Sequence, residues 1–292
     1  MQFKGAFSAL ITPFKDGRID EDSYRNFIEW QIEQGIDGLV PCGTTGESAT
    51  LGHAEHKEAI SICVDQAKGR VPVVAGAGSN ATAEAIDLAG YARDAGADAA
   101  LMITPYYNKP TQEGVVAHFK AISREVSIPM LVYNVPGRTS LNVLPRTMAR
   151  LFNEVPDVIG TKEASADLKQ VSEVIEFSGK DFCVLSGDDF TVLPLLAVGG
   201  HGVISVTSNI APSMMSDMCA AFDRGDMQRA RELHYKMAPL CRAMFLETNP
   251  IPVKTAVHLM GKCPLEFRLP LVELAGDNAE TLKQVLREHG LI

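Results

Sequence analysis

The sequence predicts a (β/α)₈ barrel followed by a helical extension. Short apolar runs alternate with amphipathic stretches, a glycine-led pattern recurs along the chain, and the strand signal stops near residue 224. In chain order the strand candidates are Phe7–Ile11, Gly38–Cys42, Val71–Ala75, Ala99–Thr104, Met130–Asn134, Val158–Lys162, Phe182–Ser186 and Gly202–Val206. Most are apolar throughout, as strands covered on both faces must be. Between them Asp20–Gln34, His53–Lys68, Thr82–Ala95 and Gln112–Val126 carry the apolar stripe of helices packed on a sheet.

The recurring pattern is Gly35-Ile36-Asp37-Gly38-Leu39-Val40, Gly96-Ala97-Asp98-Ala99-Ala100-Leu101 and Gly199-Gly200-His201-Gly202-Val203-Ile204. In each, a glycine suited to a left-handed C-cap ends a helix, a polar residue turns the chain and a buried strand begins. Repeated units of this kind close into a barrel or lie in an open doubly wound sheet. Eight units within 224 residues favour the closed TIM-type barrel, and no strand is followed by the GxGxxG of a dinucleotide-binding sheet. Beyond it, Asp226–Phe245, Pro252–Met260 and Asn278–His289 read as helices. The expected organisation is a barrel over 1–224 and a helical extension over 225–292, with no Pro/Gly/Ser linker between them.

Composition narrows the function classes. The chain of 292 residues is 46% hydrophobic and 22% charged, a globular balance, and carries a net charge of −9. An acidic chain without a basic run is a poor match for nucleic acid or anionic membranes. No apolar run reaches the ~20 residues of a bilayer span. The first residues lack a secretion signal, so a cytoplasmic location is expected. The six scattered cysteines form no CxxC pair and read as packed thiols. His53 and His56 stand at i, i+3 without a third metal ligand or an HExxH motif, so no metal site is expected. Met214, Met215 and Met218 fall at helical spacing and read as core.

Barrel enzymes place their chemistry at the C-terminal ends of the strands. There the sequence puts Thr44 and Thr45 after strand two, Tyr106 and Tyr107 after strand four, Tyr133 and Arg138 at and beyond strand five, Lys162 on strand six and Gly187 after strand seven. By period-two alternation Lys162 shares a face with Val158 and Gly160, and Gly160 is expected to leave room beneath it. Burial disfavours an ammonium relative to the free amine, the nucleophilic form. An ordinary lysine ion-paired with Glu163 is the competing reading, and pattern leaves both open. Gly43-Thr44-Thr45-Gly46-Glu47 is expected to point backbone N–H groups and threonine hydroxyls at a carboxylate, with a helix N-terminus adding positive potential; a plain tight turn competes. Tyr133 and Tyr107 can pass protons or simply pack, and Arg138 can fork onto a carboxylate or stay solvated.

Taken together, GTTGE (43–47), YNVPGRT (133–139) and GTKEAS (160–165) resemble the dihydrodipicolinate synthase family of pyruvate-dependent class I aldolases, over essentially the whole chain. The resemblance implies a lyase in which Lys162 forms a Schiff base with pyruvate, which is then joined to L-aspartate 4-semialdehyde on the route to diaminopimelate and L-lysine. It implies catalytic roles for Tyr133, Thr44 and Tyr107, the last reaching across a subunit interface, and substrate contacts for Thr45, Arg138, Gly187 and Ile204. It implies no cofactor, a homotetramer of tight dimers, and L-lysine inhibition through Ser48, Ala49, His53, His56, Asn80, Glu84 and Tyr106. Sibling lyases acting on N-acetylneuraminate or keto-deoxy sugar acids share much of this pattern, and Arg138 within PGRT is the residue that separates them. A catalytically silent binding protein on the same scaffold is the reading from a different class.

Overall fold

A computed structural model describes residues 3–292. Eight parallel strands form one sheet: β1 Gly5–Ala9, β2 Gly38–Val40, β3 Val74–Gly76, β4 Ala99–Ile103, β5 Met130–Asn134, β6 Val158–Glu163, β7 Cys183–Ser186 and β8 Gly202–Ser205. Their order is β2-β1-β8-β7-β6-β5-β4-β3, the consecutive order of the (β/α)₈ class. Each expected strand is present, shifted by no more than a few residues. All strand positions except Gly5, Ile103 and Ile159 are buried, which is why the sequence shows apolar runs rather than alternation.

By internal packing the chain forms two compact units, one built on Val73–Ile204 and the other on Ala6–Pro72 with Ser205–Ile292. The first carries β3 to β7, most of β8, and α3 Thr82–Ala95, α4 Gln112–Glu125, α5 Pro145–Glu154, α6 Leu168–Ser178 and α7 Val192–Ala197. The second carries most of β1, β2, α1 Glu21–Glu33, α2 His53–Ala67, α8 Pro212–Asp223, and the later helices α9 Met227–Ala243, α10 Ile251–Leu259 and α11 Gly276–Glu288. A small antiparallel hairpin pairs Phe14–Lys15 with Arg18–Ile19 and turns through Asp16 and Gly17, both at positive φ.

The recurring glycine pattern has a common structural role. Gly35, Gly96 and Gly199 have φ of 80°, 91° and 103°, the left-handed backbone expected after a helix. The polar residue two positions on then ties the new strand to its neighbour. Asp37 accepts from the Ala6 N–H at 2.7 Å, Asp98 from Val73 N–H at 2.8 Å, and His201 Nδ1 from Val184 N–H at 3.1 Å. Three copies of one turn thus fasten three strand starts. Among the described residues all six cysteines are buried and outside any disulfide, Met215 and Met218 are core and Met214 is half-buried. No helix among them is long and apolar enough to cross a membrane.

Candidate active site

Lys162 lies on the last turn of pleat in β6, and its register partner on β5 is Tyr133. Adjacent parallel strands bring such partners to the same face. Lys162 Nζ stands 4.3 Å from the centroid of the Tyr133 ring, and both side chains are buried, at 6% exposure each. Gly187, after β7, borders the lysine stem. A Cβ there would lie 3.1 Å from Lys162 Cε and 2.6 Å from Ala164 Cβ, so only glycine allows the chain to pass this close to the lysine. Ile204, on β8, is fully buried.

Glu163 is not the partner of Lys162. Successive strand residues point to opposite faces, and Glu163 turns the other way. Its carboxylate accepts from Asn134 Nδ2 at 3.0 and 3.1 Å, Gln170 Nε2 at 3.2 Å and the Ser165 N–H at 2.9 Å. Asn134 is the register partner of Glu163, one step from the Tyr133–Lys162 pair. Asn134 Nδ2 also meets Asn142, and its Oδ1 accepts from Val143 N–H at 3.0 Å. This buried amide–carboxylate network pins the ends of β5 and β6 from behind, so the ring and the amine on the opposite face are held together. No ion pair to Lys162 forms among the described residues.

The room that Gly160 makes has a different tenant from the one expected. A Cβ on Gly160 would meet the Cys183 carbonyl at 2.3 Å, Cys183 Cβ at 2.7 Å and Leu131 Cδ2 at 2.8 Å. The glycine permits close approach of the neighbouring strands rather than space beneath the lysine.

Thr44 and Thr45 occupy the loop after β2. This loop also departs from expectation. The chain passes through Cys42 and Glu47, both at φ 55°, into an unexpected 3₁₀ turn at Ser48–Thr50 before α2 starts at His53, the position read from the sequence. No helix N-terminus follows Glu47 directly, because Gly46, Glu47 and Ser48 return their N–H groups to Gly43 and Thr44 carbonyls. The loop's own geometry still leaves a cradle. The backbone N–H groups of Thr44 and Thr45 bond nothing within the chain among the described residues, while Thr12 Oγ1 donates to the Gly46 carbonyl at 2.7 Å and fixes the turn.

Sequence reasoning missed the groups that hold this loop. Asn249 Nδ2 donates to Thr45 Oγ1 at 3.1 Å. Lys254 Nζ pairs with Glu47 Oε1 at 2.6 Å with both side chains fully enclosed. Lys254 lies 4.0 Å from the Phe14 ring centroid, and Arg268 lies 4.2 Å from the same ring while forking onto Glu55 at 2.6 and 2.7 Å. Burial pushes the Lys254 pKa down, and the Glu47 carboxylate opposes that shift. A lysine inside the apolar run Ile251-Pro252-Val253-Lys254-Thr255-Ala256-Val257 was the available signal, since a charge at such a position demands a buried partner.

The remaining residues lie further out. Tyr107 is 90% exposed and sits at φ 69°, a backbone conformation uncommon for a bulky residue. Arg138 is exposed on the one-turn helix Pro136–Thr139. Ser48, Ala49, His53 and His56 follow the threonine loop into α2, with His56 buried. Asn80, Glu84 and Tyr106 form a second group, in which Asn80 Nδ2 donates to the Tyr106 carbonyl at 3.2 Å and Ser79 Oγ to Glu84 at 2.7 Å.

These features coincide with known proteins. The profile of the Dihydrodipicolinate synthetase family matches residues 2–289. The chain is 65% identical over 292 residues to the 4-hydroxy-tetrahydrodipicolinate synthase of Oleidesulfovibrio alaskensis, covering all of both sequences. It is similar to the chloride-inhibited dihydrodipicolinate synthase of Acinetobacter baumannii solved with pyruvate, with TM-score 0.96, 45% identity and 99% of each chain covered. It is also similar to the enzyme of Cyanidioschyzon merolae solved with lysine bound, with TM-score 0.96, 37% identity and 99% of each chain covered. This chain is an enzyme of the lyase class with a (β/α)₈ barrel fold, and it belongs to the dihydrodipicolinate synthetase family.

Proposed function

We propose that the protein condenses pyruvate with L-aspartate 4-semialdehyde through a Schiff base on Lys162, giving 4-hydroxy-tetrahydrodipicolinate. The observation that carries this reading is the buried Lys162 amine against the Tyr133 ring, with a glycine beside it where any side chain would crowd Lys162 Cε. The amine adds to the pyruvate carbonyl carbon and water leaves, forming an imine whose protonated form draws electrons from the methyl group. Loss of a methyl proton gives an enamine, whose carbon attacks the aldehyde, and the aldehyde oxygen takes up a proton. The second substrate's amine then adds to the imine carbon and expels the Lys162 amine, closing the ring.

The threonine loop supports the binding half of this reading. The N–H groups of Thr44 and Thr45 and the Thr45 hydroxyl would receive the pyruvate carboxylate, and Arg138 would orient the carboxylate of the second substrate. Tyr133, Thr44 and Tyr107 would carry protons: none of the three side chains makes a hydrogen bond within the chain among the described residues, so each is available to a relay. The exposure of Tyr107 suits a residue that enters a neighbouring protomer, in a homotetramer of tight dimers. Residues 1–224 would form the catalytic barrel and 225–292 its helical extension, in a cytoplasmic enzyme of diaminopimelate and L-lysine biosynthesis.

Borohydride reduction in the presence of pyruvate tests the central step. An adduct on Lys162, absent from Lys162→Ala, is expected; a folded protein that gives no adduct overturns the reading. Turnover of N-acetylneuraminate in place of aspartate semialdehyde would move the protein to the sibling lyases. Feedback inhibition by L-lysine through Ser48, Ala49, His53, His56, Asn80, Glu84 and Tyr106 is part of the proposal, by analogy with the lysine-bound relative. Activity unchanged in millimolar L-lysine would remove it.

A further inference from the structure

The carboxylate loop does not hold its own shape. Glu47 adopts φ 55°, a left-handed backbone that is strained for a non-glycine residue, and it does so two residues after a threonine whose hydroxyl must be aimed. Two side chains five positions apart, Asn249 and Lys254, reach this loop from more than two hundred residues away. They grip it at two points. Asn249 Nδ2 gives Thr45 Oγ1 a donor at 3.1 Å, so the oxygen is engaged as acceptor and its hydrogen is left to point elsewhere. Thr45 is 2% exposed, and its hydroxyl hydrogen has no acceptor within the chain among the described residues. Lys254 locks Glu47 in a fully enclosed ion pair at 2.6 Å. The Arg268 N–H at 3.4 Å reaches the second Glu47 oxygen, and Arg268 Nη1 donates to the Thr50 carbonyl at 3.2 Å, closing the far end of the turn.

We infer that Asn249 and Lys254 form a clamp that presets the loop for a substrate carboxylate, making them positioning residues for pyruvate recognition. The inference rests on the Schiff-base reading above. Asn249 polarises and aims the Thr45 hydroxyl; Lys254, through Glu47, fixes the backbone so that the adjacent N–H groups of Thr44 and Thr45 converge. Neither side chain touches substrate. A preset cradle spends no binding energy on ordering the loop, so loosening it weakens recognition of the carboxylate and leaves the amine chemistry intact.

The test compares carbonyl compounds with and without the carboxylate. The unaltered protein, Asn249→Ala, and the double variant Glu47→Gln with Lys254→Met are each reduced with borohydride in the presence of pyruvate or of acetone, and the rates of adduct formation are compared. The double variant removes both buried charges together, so it avoids stranding one of them. The ratio of pyruvate to acetone trapping is expected to fall about fivefold in Asn249→Ala and about tenfold in the double variant, the scale of one or two misdirected hydrogen bonds. In parallel the apparent KM for pyruvate rises by similar factors while that for aspartate semialdehyde moves less than about twofold. A purely structural role would lower both trapping rates alike and leave the ratio unchanged, and that result overturns the clamp. Absence of pyruvate trapping in the unaltered protein overturns the Schiff-base reading and the clamp with it; trapping there with an unchanged ratio in the variants overturns the clamp alone.

Discussion

Lys162 and Tyr133 sit on adjacent strands, whereas Thr44 and Thr45 sit on a loop, and the two places are made rigid by different means. The strand residues inherit their geometry from the ladder: register sets Tyr133 against Lys162, and the Asn134–Glu163–Gln170 network behind them ties the same two strands once more. The loop has no ladder. Beyond its own turn bonds and the Thr12 hydroxyl, it is held by an enclosed ion pair and one amide, whose outer partners Lys254 and Asn249 come from the segment around α10. Groups that act on a reacting bond gain from strand-borne precision, while a loop can be built around whatever anion the reaction requires. The cost of the second solution is dependence on distant residues.

That dependence gives the largest expected effect. Lys254→Met strands the Glu47 carboxylate in an enclosed site and should lower the unfolding free energy by about 3–5 kcal/mol. Adding Glu47→Gln should return most of it, since the uncompensated charge is then gone. Urea midpoints of the single and double variants check this. Equal stability of Lys254→Met and the unaltered chain would mean that the loop is held by something else.

A pair of glycines sharpens the contrast. Gly160→Ala forces a methyl to within 2.3 Å of the Cys183 carbonyl, between strands that cannot part without breaking their ladder. A loss of about 3 kcal/mol is expected. Gly43→Ala, in the loop, adds a methyl with nothing within 4 Å and should change stability by less than about 0.5 kcal/mol. Similar losses at both positions would erase the distinction between a close-packed strand region and an open loop.

How much of this was legible in the sequence follows the same division. The strands were legible because full burial writes itself as uninterrupted apolar runs, and the glycine turns because left-handed backbone selects glycine. Lys162 was legible as a charge ending such a run. The pairing of Glu163 stayed open, since adjacency in sequence suggests contact while a strand sends neighbours to opposite faces. The start of α2 at His53 was legible, but the 3₁₀ turn that separates it from the threonine loop was not, because Ser48-Ala49-Thr50 has no feature that distinguishes such a turn from plain loop. Asn249 and Lys254 could not be assigned to the threonine loop at all. Lys254 announced a buried partner, but contacts across 204 and 207 positions leave no periodicity to read.

Acid should act on the two regions in turn, and this is the smallest effect. His118, on α4 in the unit that carries Lys162, is buried with Nδ1 2.9 Å from Thr82 Oγ1, and burial pushes its pKa down to about 4 from an ordinary 6.5. The fold therefore favours the neutral ring. Its contribution is complete above pH 6.5 and is lost as pH falls from there towards 4, where the unfolded chain takes up a proton that the folded chain refuses. Glu55, in the unit that carries the threonine loop, is held below its ordinary 4.5 by Arg268. Its contribution is complete above 4.5 and is lost only as pH falls through its lowered value. Stability measured against pH should thus decline in two stages, the first made shallower by His118→Gln and the second by Glu55→Gln. A His118→Gln variant with the same slope between pH 6.5 and 4 as the unaltered chain would assign the first stage to His201 and His234, whose pKa values burial also pushes down.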